Sequence, residues 1–256
     1  MLQEICIVNY VMSGGAMYPK CILFDLDDTI ISFEGAAEVA WKRCCSSFVN
    51  SNKVNFNDEE LLNKINEIRK WYWNDPIRHK RGRMNMLAAR REIVIMAMQQ
   101  LEYSDEISSI SMADSYTHMQ DDMLELFPNA LVTLETLKNK GVKLGLVTNG
   151  SSEKQRGKLN RFKLNDYFDY FFIEGEIGVG KPDIKVYEIA LDKINLSSTD
   201  VWMVGDNLIW DVQAPQKLGI YSIWNDYRRT GLPKDSLVIP DRTINNIYEL
   251  IDITYR

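Results

Sequence analysis

The chain has 256 residues, 45% hydrophobic and 26% charged, with a formal net charge of −6 at pH 7. That usage supplies a sizeable core, enough for one large or two smaller domains. It excludes a chain-wide basic field for nucleic acid or an anionic membrane surface, and no apolar run approaches the roughly 20 residues that span a bilayer. Neither partner is expected, and an anionic substrate has to be held locally.

Leu2 to Met12 is fairly apolar, carries Glu4 as its one charge, and breaks at Ser13-Gly14-Gly15. A secretory signal needs a basic start and a small-residue cleavage site, and neither is clear here. Met12 and Met17 stand close before the first strand candidate, so residues 1–19 read as a dispensable extension or a misassigned start. Cys6, Cys21, Cys44 and Cys45 lack a C-x-x-C spacing, which fits reduced thiols and a cytoplasmic setting.

Lys20-Cys-Ile-Leu-Phe-Asp25-Leu-Asp27-Asp-Thr29 follows. Ile22, Leu23 and Phe24 form the short apolar run of a buried parallel strand. Asp25 falls where that strand ends, the edge at which open α/β sheets bind ligands. Carboxylates at i and i+2 repel unless a cation or a shared proton offsets them, and a hard divalent ion with oxygen ligands such as Mg²⁺ does so. A turn in which Asp-Asp-Thr caps a helix is the alternative reading.

From Glu34 to Met123 the pattern is helical, with amphipathic segments rich in Leu, Ile, Met, Ala, Glu, Lys and Arg and a single proline, Pro76. Residues 33–124 are therefore expected to be an all-helical cap inserted after the first strand. Beyond Pro128, strand candidates at Lys143–Thr148, Tyr170–Glu174, Val201–Val204 and Ile220–Trp224 alternate with helix candidates. Those helices are Asn129–Lys140, Glu153–Phe162, Ile184–Lys193, Leu208–Leu218 and Ile244–Ile251. Such alternation predicts an α/β fold with a doubly wound, mostly parallel sheet. Its pieces are residues 20–32 and 125–256.

Three later segments place polar residues where strands end. Leu144-Gly-Leu-Val-Thr148-Asn149-Gly150 supplies a hydroxyl donor, and backbone N–H groups near Asn149 and Gly150 would complete an anion cradle. A strand–turn with an N-cap explains the same residues. Gly178-Val-Gly180-Lys181-Pro182-Asp183 sets a lysine in a glycine-flanked turn, either as a fixed cation for phosphate or as an ordinary surface lysine. Val201-Trp-Met-Val-Gly205-Asp206-Asn207-Leu-Ile-Trp-Asp211 ends on one acid and adds a second a helical turn later. Asp206 suits a metal ligand and Asp211 a partner for Lys181 or a metal-bound water, against helix capping and a solvated helix start.

The joint order of these segments over roughly residues 20–225 resembles the haloacid dehalogenase superfamily, whose four motifs match at Asp25/Asp27, Thr148, Lys181 and Asp206/Asp211. The details Phe-Asp-Leu-Asp-Asp-Thr, Val-Thr-Asn-Gly and Gly-Lys-Pro-Asp resemble its phosphatases with a helical cap between the first two motifs. Thr148-Asn149-Gly150 followed by Gln155 and Lys158-Leu159 is similar to the nucleotidase and acylneuraminate-phosphatase subgroup. The resemblance implies a Rossmann-like core and an Mg²⁺-dependent phosphomonoester hydrolase. Asp25 would form an aspartyl-phosphate and Asp27 would act as general acid and base. Thr148, Asn149, Gly150 and Lys181 would bind phosphate. Asp25, the backbone carbonyl of Asp27, and Asp206 would hold the metal, supported by Asp211 and Asn207. The implied substrate is a small phosphate ester such as a nucleotide, flavin mononucleotide or a sugar phosphate.

Leaving-group contacts are sought in Trp71-Tyr-Trp73-Asn-Asp-Pro-Ile-Arg78-His79-Lys80-Arg81-Gly-Arg83, with Trp73, Arg78, His79 and Arg83 as candidates. Stacking on a base or flavin ring would suit them, and a solvated helix face with Trp71 and Tyr72 in the cap core is the alternative. His118 reads as structural or exposed. Trp202, Trp210 and Trp224 mark a surface that would form a contact patch. A phosphomutase would share every core motif and a binding protein the fold. Asp27 argues against a dehalogenase.

Overall fold

The computed structural model describes residues 11–13 and 16–253. Most of the extension expected over residues 1–19 lies outside the described residues. Within it, β1 (Val11–Ser13) pairs antiparallel with β2 (Ala16–Tyr18). Tyr18 is buried, and its hydroxyl donates to the Ile251 carbonyl.

By its contacts the chain divides into two compact units, residues 1–31 with 126–256, and residues 32–125. In the first, β3 (Cys21–Phe24), β6 (Lys143–Thr148), β7 (Tyr170–Ile173), β8 (Val201–Gly205), β9 (Tyr221–Asn225) and β10 (Arg242–Ile244) form one sheet in the order β10-β9-β8-β3-β6-β7. All five neighbouring pairs in it are parallel. The short strands β4 (Ile31–Ser32) and β5 (Glu125–Leu126) lie where the chain leaves and re-enters this unit.

β3 runs at the centre, and all four of its residues are buried. A strand covered on both faces needs an uninterrupted apolar run, which Cys-Ile-Leu-Phe supplies. Its neighbours are β6 on one side and β8 on the other, so the chain reverses its direction of travel across the sheet at β3. That reversal is the topological switch point where open α/β sheets leave a crevice beyond the carboxyl ends of their strands. In β6 a Cβ at Gly145 would stand 2.6 Å from Leu23 Cδ2, so glycine there leaves room for the leucine of the neighbouring strand.

The expected mostly parallel α/β sheet is thus present, with differences near the C-terminus. The helix expected over Ile244–Ile251 is instead β10 followed by a 3₁₀ helix over Ile247–Asp252. Asn246 is extended and forms a capping box with Glu249, so helical structure begins only after it and Ile244 stays paired with Asn225. Leu208–Gln213 is a π-helix followed by a short helical turn over Ala214–Gln216. The Ala214 N–H reaches back five residues to Ile209, and Pro215 has no N–H to continue the ladder. Trp202 is fully buried and Trp224 nearly so, because both stand in covered parallel strands. Trp202 packs on Tyr221 and the Trp224 indole N–H donates to the Asp206 carbonyl. The expected tryptophan patch is therefore interior at two of its three positions.

The second unit holds α1 (Glu34–Ser51), α2 (Asp58–Asn74), α3 (Pro76–Met84), α4 (Met86–Gln100) and α5 (Glu106–Met123). It has its own core, in which Trp41, Phe48, Ile65, Tyr72, Ile93, Val94, Met98 and Tyr116 are buried together. Asn57 and Glu60 form a capping box, and Asp75 caps α3 just before Pro76, which occupies the first helical position where a missing N–H costs nothing. Tyr72 belongs to this core, whereas Trp71 is 46% exposed, and His118 is exposed. Among the described residues no helix is long and apolar enough to cross a membrane.

Candidate active site

The carboxyl ends of β3, β6 and β8 bring Asp25, Thr148 and Asp206 to one edge of the sheet. Asp25 is buried, and its N–H donates to the Val204 carbonyl of the neighbouring strand at 2.9 Å. Lys181, only 1% exposed, reaches Asp25 Oδ1 at 2.7 Å and Asp211 Oδ1 at 2.6 Å. Asp211 Oδ2 accepts the Asn207 N–H at 3.0 Å. A Cβ at Gly205 would lie 2.3 Å from Asp211 Cγ. Glycine there is what lets the buried Asp211 carboxylate fold back against the end of β8.

One oxygen from each of Asp25, Asp206 and Asp211 lies within 4.8 Å of the others. Burial pushes the Asp25 carboxyl up to about 7; Lys181 opposes that shift, and Asp211 and Asp27 add to it. Asp206 is pushed well above the ordinary carboxylate range by burial and then by Asp25 and Asp211. Burial disfavours the Lys181 ammonium, yet Asp211 and Asp25 outweigh it and raise its pKa above the usual lysine value. Three carboxylates facing one ammonium leave an excess of negative charge in a desolvated place. An all-oxygen donor set of this kind fits a hard divalent cation.

Asp27 takes separate partners. Lys158 Nζ lies 2.7 Å from each of its oxygens, and Gln155 Nε2 donates to Asp27 Oδ2 at 3.1 Å and to Thr148 Oγ1 at 2.6 Å. Both come from α7 (Ser152–Arg161), which follows β6 as α6 (Ala130–Asn139) precedes it. Because Thr148 Oγ1 accepts from Gln155, its own hydrogen is free to point at another acceptor.

The remaining polar residues divide between clamping and capping. Asn149 Nδ2 donates to the Lys181 carbonyl at 2.7 Å and Asn149 Oδ1 accepts the Lys181 N–H at 2.8 Å, so its amide fixes the lysine loop. The Gly150 N–H donates to the buried Glu174 at 3.0 Å. One of the amides expected to cradle phosphate is thus taken by Glu174, since a carboxylate excluded from water needs donors. Asn207 caps the π-helix through bonds of 3.0 Å from the Ile209 and Trp210 amides.

In the helical unit, Trp73 and His79 meet edge to face at 5.2 Å, and Arg83 Nη1 lies 3.2 Å from His79 Nδ1. Arg78 lies instead over Trp71 at 3.7 Å and donates to its carbonyl. Three of the four expected leaving-group candidates are thus neighbours, and Arg78 stands with the exposed tryptophan.

Residues 22–225 match the sequence model of the haloacid dehalogenase-like hydrolases. The chain belongs to this family. It is 27% identical over 234 residues to glyceraldehyde 3-phosphate phosphatase of Methanocaldococcus jannaschii, covering 91% of this chain and 96% of that protein. It is 24% identical over 230 residues to a pyrimidine 5'-nucleotidase of Escherichia coli, covering 90% and 95%. A magnesium-bound putative hydrolase of the same superfamily from Bacillus subtilis has the same fold, with a TM-score of 0.70 at 22% identity over 91% of this chain and 97% of that one.

The matched residues include the carboxyl ends of β3, β6 and β8. Glu174, Gln155 and Lys158 lie outside the four motifs, yet each bonds a residue of this edge. The spacing of the last two, three positions apart, puts them on one helical face, but nothing in the sequence shows that this face meets Asp27.

Proposed function

We propose that this enzyme hydrolyses a small phosphoric monoester through an aspartyl-phosphate on Asp25, with Asp27 as general acid and base. The observation that carries the reading is Lys181, a fully buried ammonium shared between Asp25 and Asp211 at the centre of the sheet edge. It keeps a desolvated carboxylate available as a nucleophile where burial alone would protonate it.

An Asp25 oxygen attacks phosphorus, the ester P–O bond breaks, and the departing alkoxide takes its proton from Asp27. Water then attacks phosphorus of the acyl phosphate and gives a proton to Asp27. The Asp25–phosphorus bond breaks, releasing inorganic phosphate and restoring Asp25. Lys181 and the Thr148 hydroxyl offset negative charge on the phosphoryl oxygens in both steps.

Asp25 and Asp206 would hold a magnesium ion, with the Asp27 carbonyl as a further ligand and Asp211 beside them. Bound there, it would supply Lewis-acid neutralisation of the phosphate. Enzymes accelerate phosphate-monoester hydrolysis by up to about 10²¹-fold, and general acid–base help accounts for about 10²–10⁴ of it. Fixed charge and positioning at this edge must therefore carry most of the acceleration.

Relatives named for glyceraldehyde 3-phosphate and pyrimidine nucleotides support a small phosphorylated metabolite as substrate. In this reading residues 33–124 act as a cap, with Trp73, His79, Arg83 and Arg78 as the residues to vary when leaving groups are compared. Phosphate release is measured from nucleotides, flavin mononucleotide and sugar phosphates, with Mg²⁺ or EDTA, in the native protein and Asp25→Asn. The reading requires release that is lost in EDTA and in the variant. Isomerisation without release would replace it with a phosphomutase.

A further inference from the structure

Two side chains that the reaction scheme leaves unused converge on Asp27. Lys158 is largely buried, with 11% of its side chain exposed, and Gln155 is 2% exposed. Long polar side chains are rarely buried without a partner that needs them. Here an ammonium spans both oxygens of one carboxylate, and a single amide nitrogen spends one hydrogen on that carboxylate and the other on Thr148.

The helix that presents them is itself anchored. Ser151 caps α7. Leu159 is completely buried, and Arg156 holds Glu176 through bonds of 2.7 and 2.8 Å. Lys158 and Gln155 therefore reach Asp27 from a fixed base, which is what holding a reacting group to a small fraction of an ångström demands.

We propose that Lys158 and Gln155 are positioning residues that join Asp27 and Thr148 into one rigid acid–base and phosphate-binding unit, and that Lys158 is needed chiefly for esters of poorly acidic alcohols. The inference rests on the phosphatase reading. Three of the hydrogen-bond positions around the Asp27 carboxylate are occupied by α7, so the carboxyl group is aimed before substrate arrives. An alkyl leaving group departs only with a proton delivered in line. A nitrophenolate departs without one. Loss of aim therefore penalises the first kind of ester and spares the second.

The test compares kcat/KM for glycerol phosphate and p-nitrophenyl phosphate in the native enzyme, Lys158→Met, Lys158→Arg and Asp27→Asn. This quantity reports the steps through loss of the leaving group, so the later hydrolysis of the acyl phosphate, common to both esters, drops out. Lys158→Met should lower the value for glycerol phosphate at least about ten-fold more than for p-nitrophenyl phosphate, within the 10²–10⁴ that general acid–base catalysis supplies. Lys158→Arg should restore most of the loss, and Lys158→Met should cost nothing further in the Asp27→Asn background, since two residues acting as one unit are non-additive. Lys158→Gln serves if the methionine variant does not fold. Equal losses on the two esters, or additive losses with Asp27→Asn, would overturn the proposal. If Asp25→Asn hydrolysed p-nitrophenyl phosphate as well as the native enzyme, the phosphatase reading itself would fall, whatever Lys158 does.

Discussion

Lys181 Nζ stands 2.7 Å from Asp25 Oδ1, at the end of the central strand. Replacing it by methionine leaves Asp25 and Asp211 buried with no cation between them. Breaking a buried pair from one side costs about 3–5 kcal/mol. Urea unfolding of Lys181→Met without metal at about pH 8, above the Asp25 value, should show a loss of that order. The deficit should shrink toward pH 5 as Asp25 takes up a proton.

Metal-free stability of the native protein should also depend on pH, in the direction set by Asp25. Its carboxyl is raised in the folded state from 3.8 to about 7. Between those values the folded state keeps a proton that the unfolded state has released. Stability from this group is complete below the lower value and is lost as pH rises through the higher one. Melting temperatures in EDTA should therefore fall between about pH 4 and pH 7, and Mg²⁺ should raise them more at about pH 8 than at about pH 5, because bound metal and bound proton exclude each other. Equal stabilisation by Mg²⁺ at both ends would contradict the carboxylate site.

Gly205→Ala tests the packing of Asp211. The new methyl would fall 2.3 Å from Asp211 Cγ and 2.5 Å from Asp211 Cβ, and the second contact is not relieved by turning the side chain. Overpacking of a core costs about 1–3 kcal/mol. Because the displaced carboxylate holds Lys181, phosphate release should fall by more than the loss of folded protein explains, as measured on samples corrected for folded fraction.

Asn149→Ala removes both bonds that clamp the Lys181 backbone. With the Lys181 N–H and carbonyl losing a matched partner, about 1–3 kcal/mol of stability should go with it. Thermal unfolding together with kcat measures both effects. An unchanged kcat would mean that the lysine is placed by its two carboxylates alone.

Much of this edge was legible in the sequence because buried parallel strands announce themselves. Ile22–Phe24, Leu144–Val147 and Val201–Val204 are apolar runs that stop at Asp25, Thr148 and Asp206. What lay beyond reading depends on how elements meet. The face of α7 carrying Gln155 and Lys158 is defined by periodicity, but its contact with Asp27 needs the packing of helix on sheet. The Gly150 amide went to Glu174, a residue 24 positions on that no local pattern connects to it. Trp202 stands inside the strand candidate Val201–Val204, and its burial depends on the elements that cover both faces of that strand, which the run itself does not specify.

The most direct test of the central claim is to mix enzyme with a hydrolysed phosphoester, quench in acid within one turnover, and map the phosphoryl group by peptide mass spectrometry. One phosphoryl group on the peptide containing Asp25, absent once the substrate is exhausted and absent from Asp25→Asn, is the predicted result. Phosphate release that continues at the native rate in Asp25→Asn would contradict it.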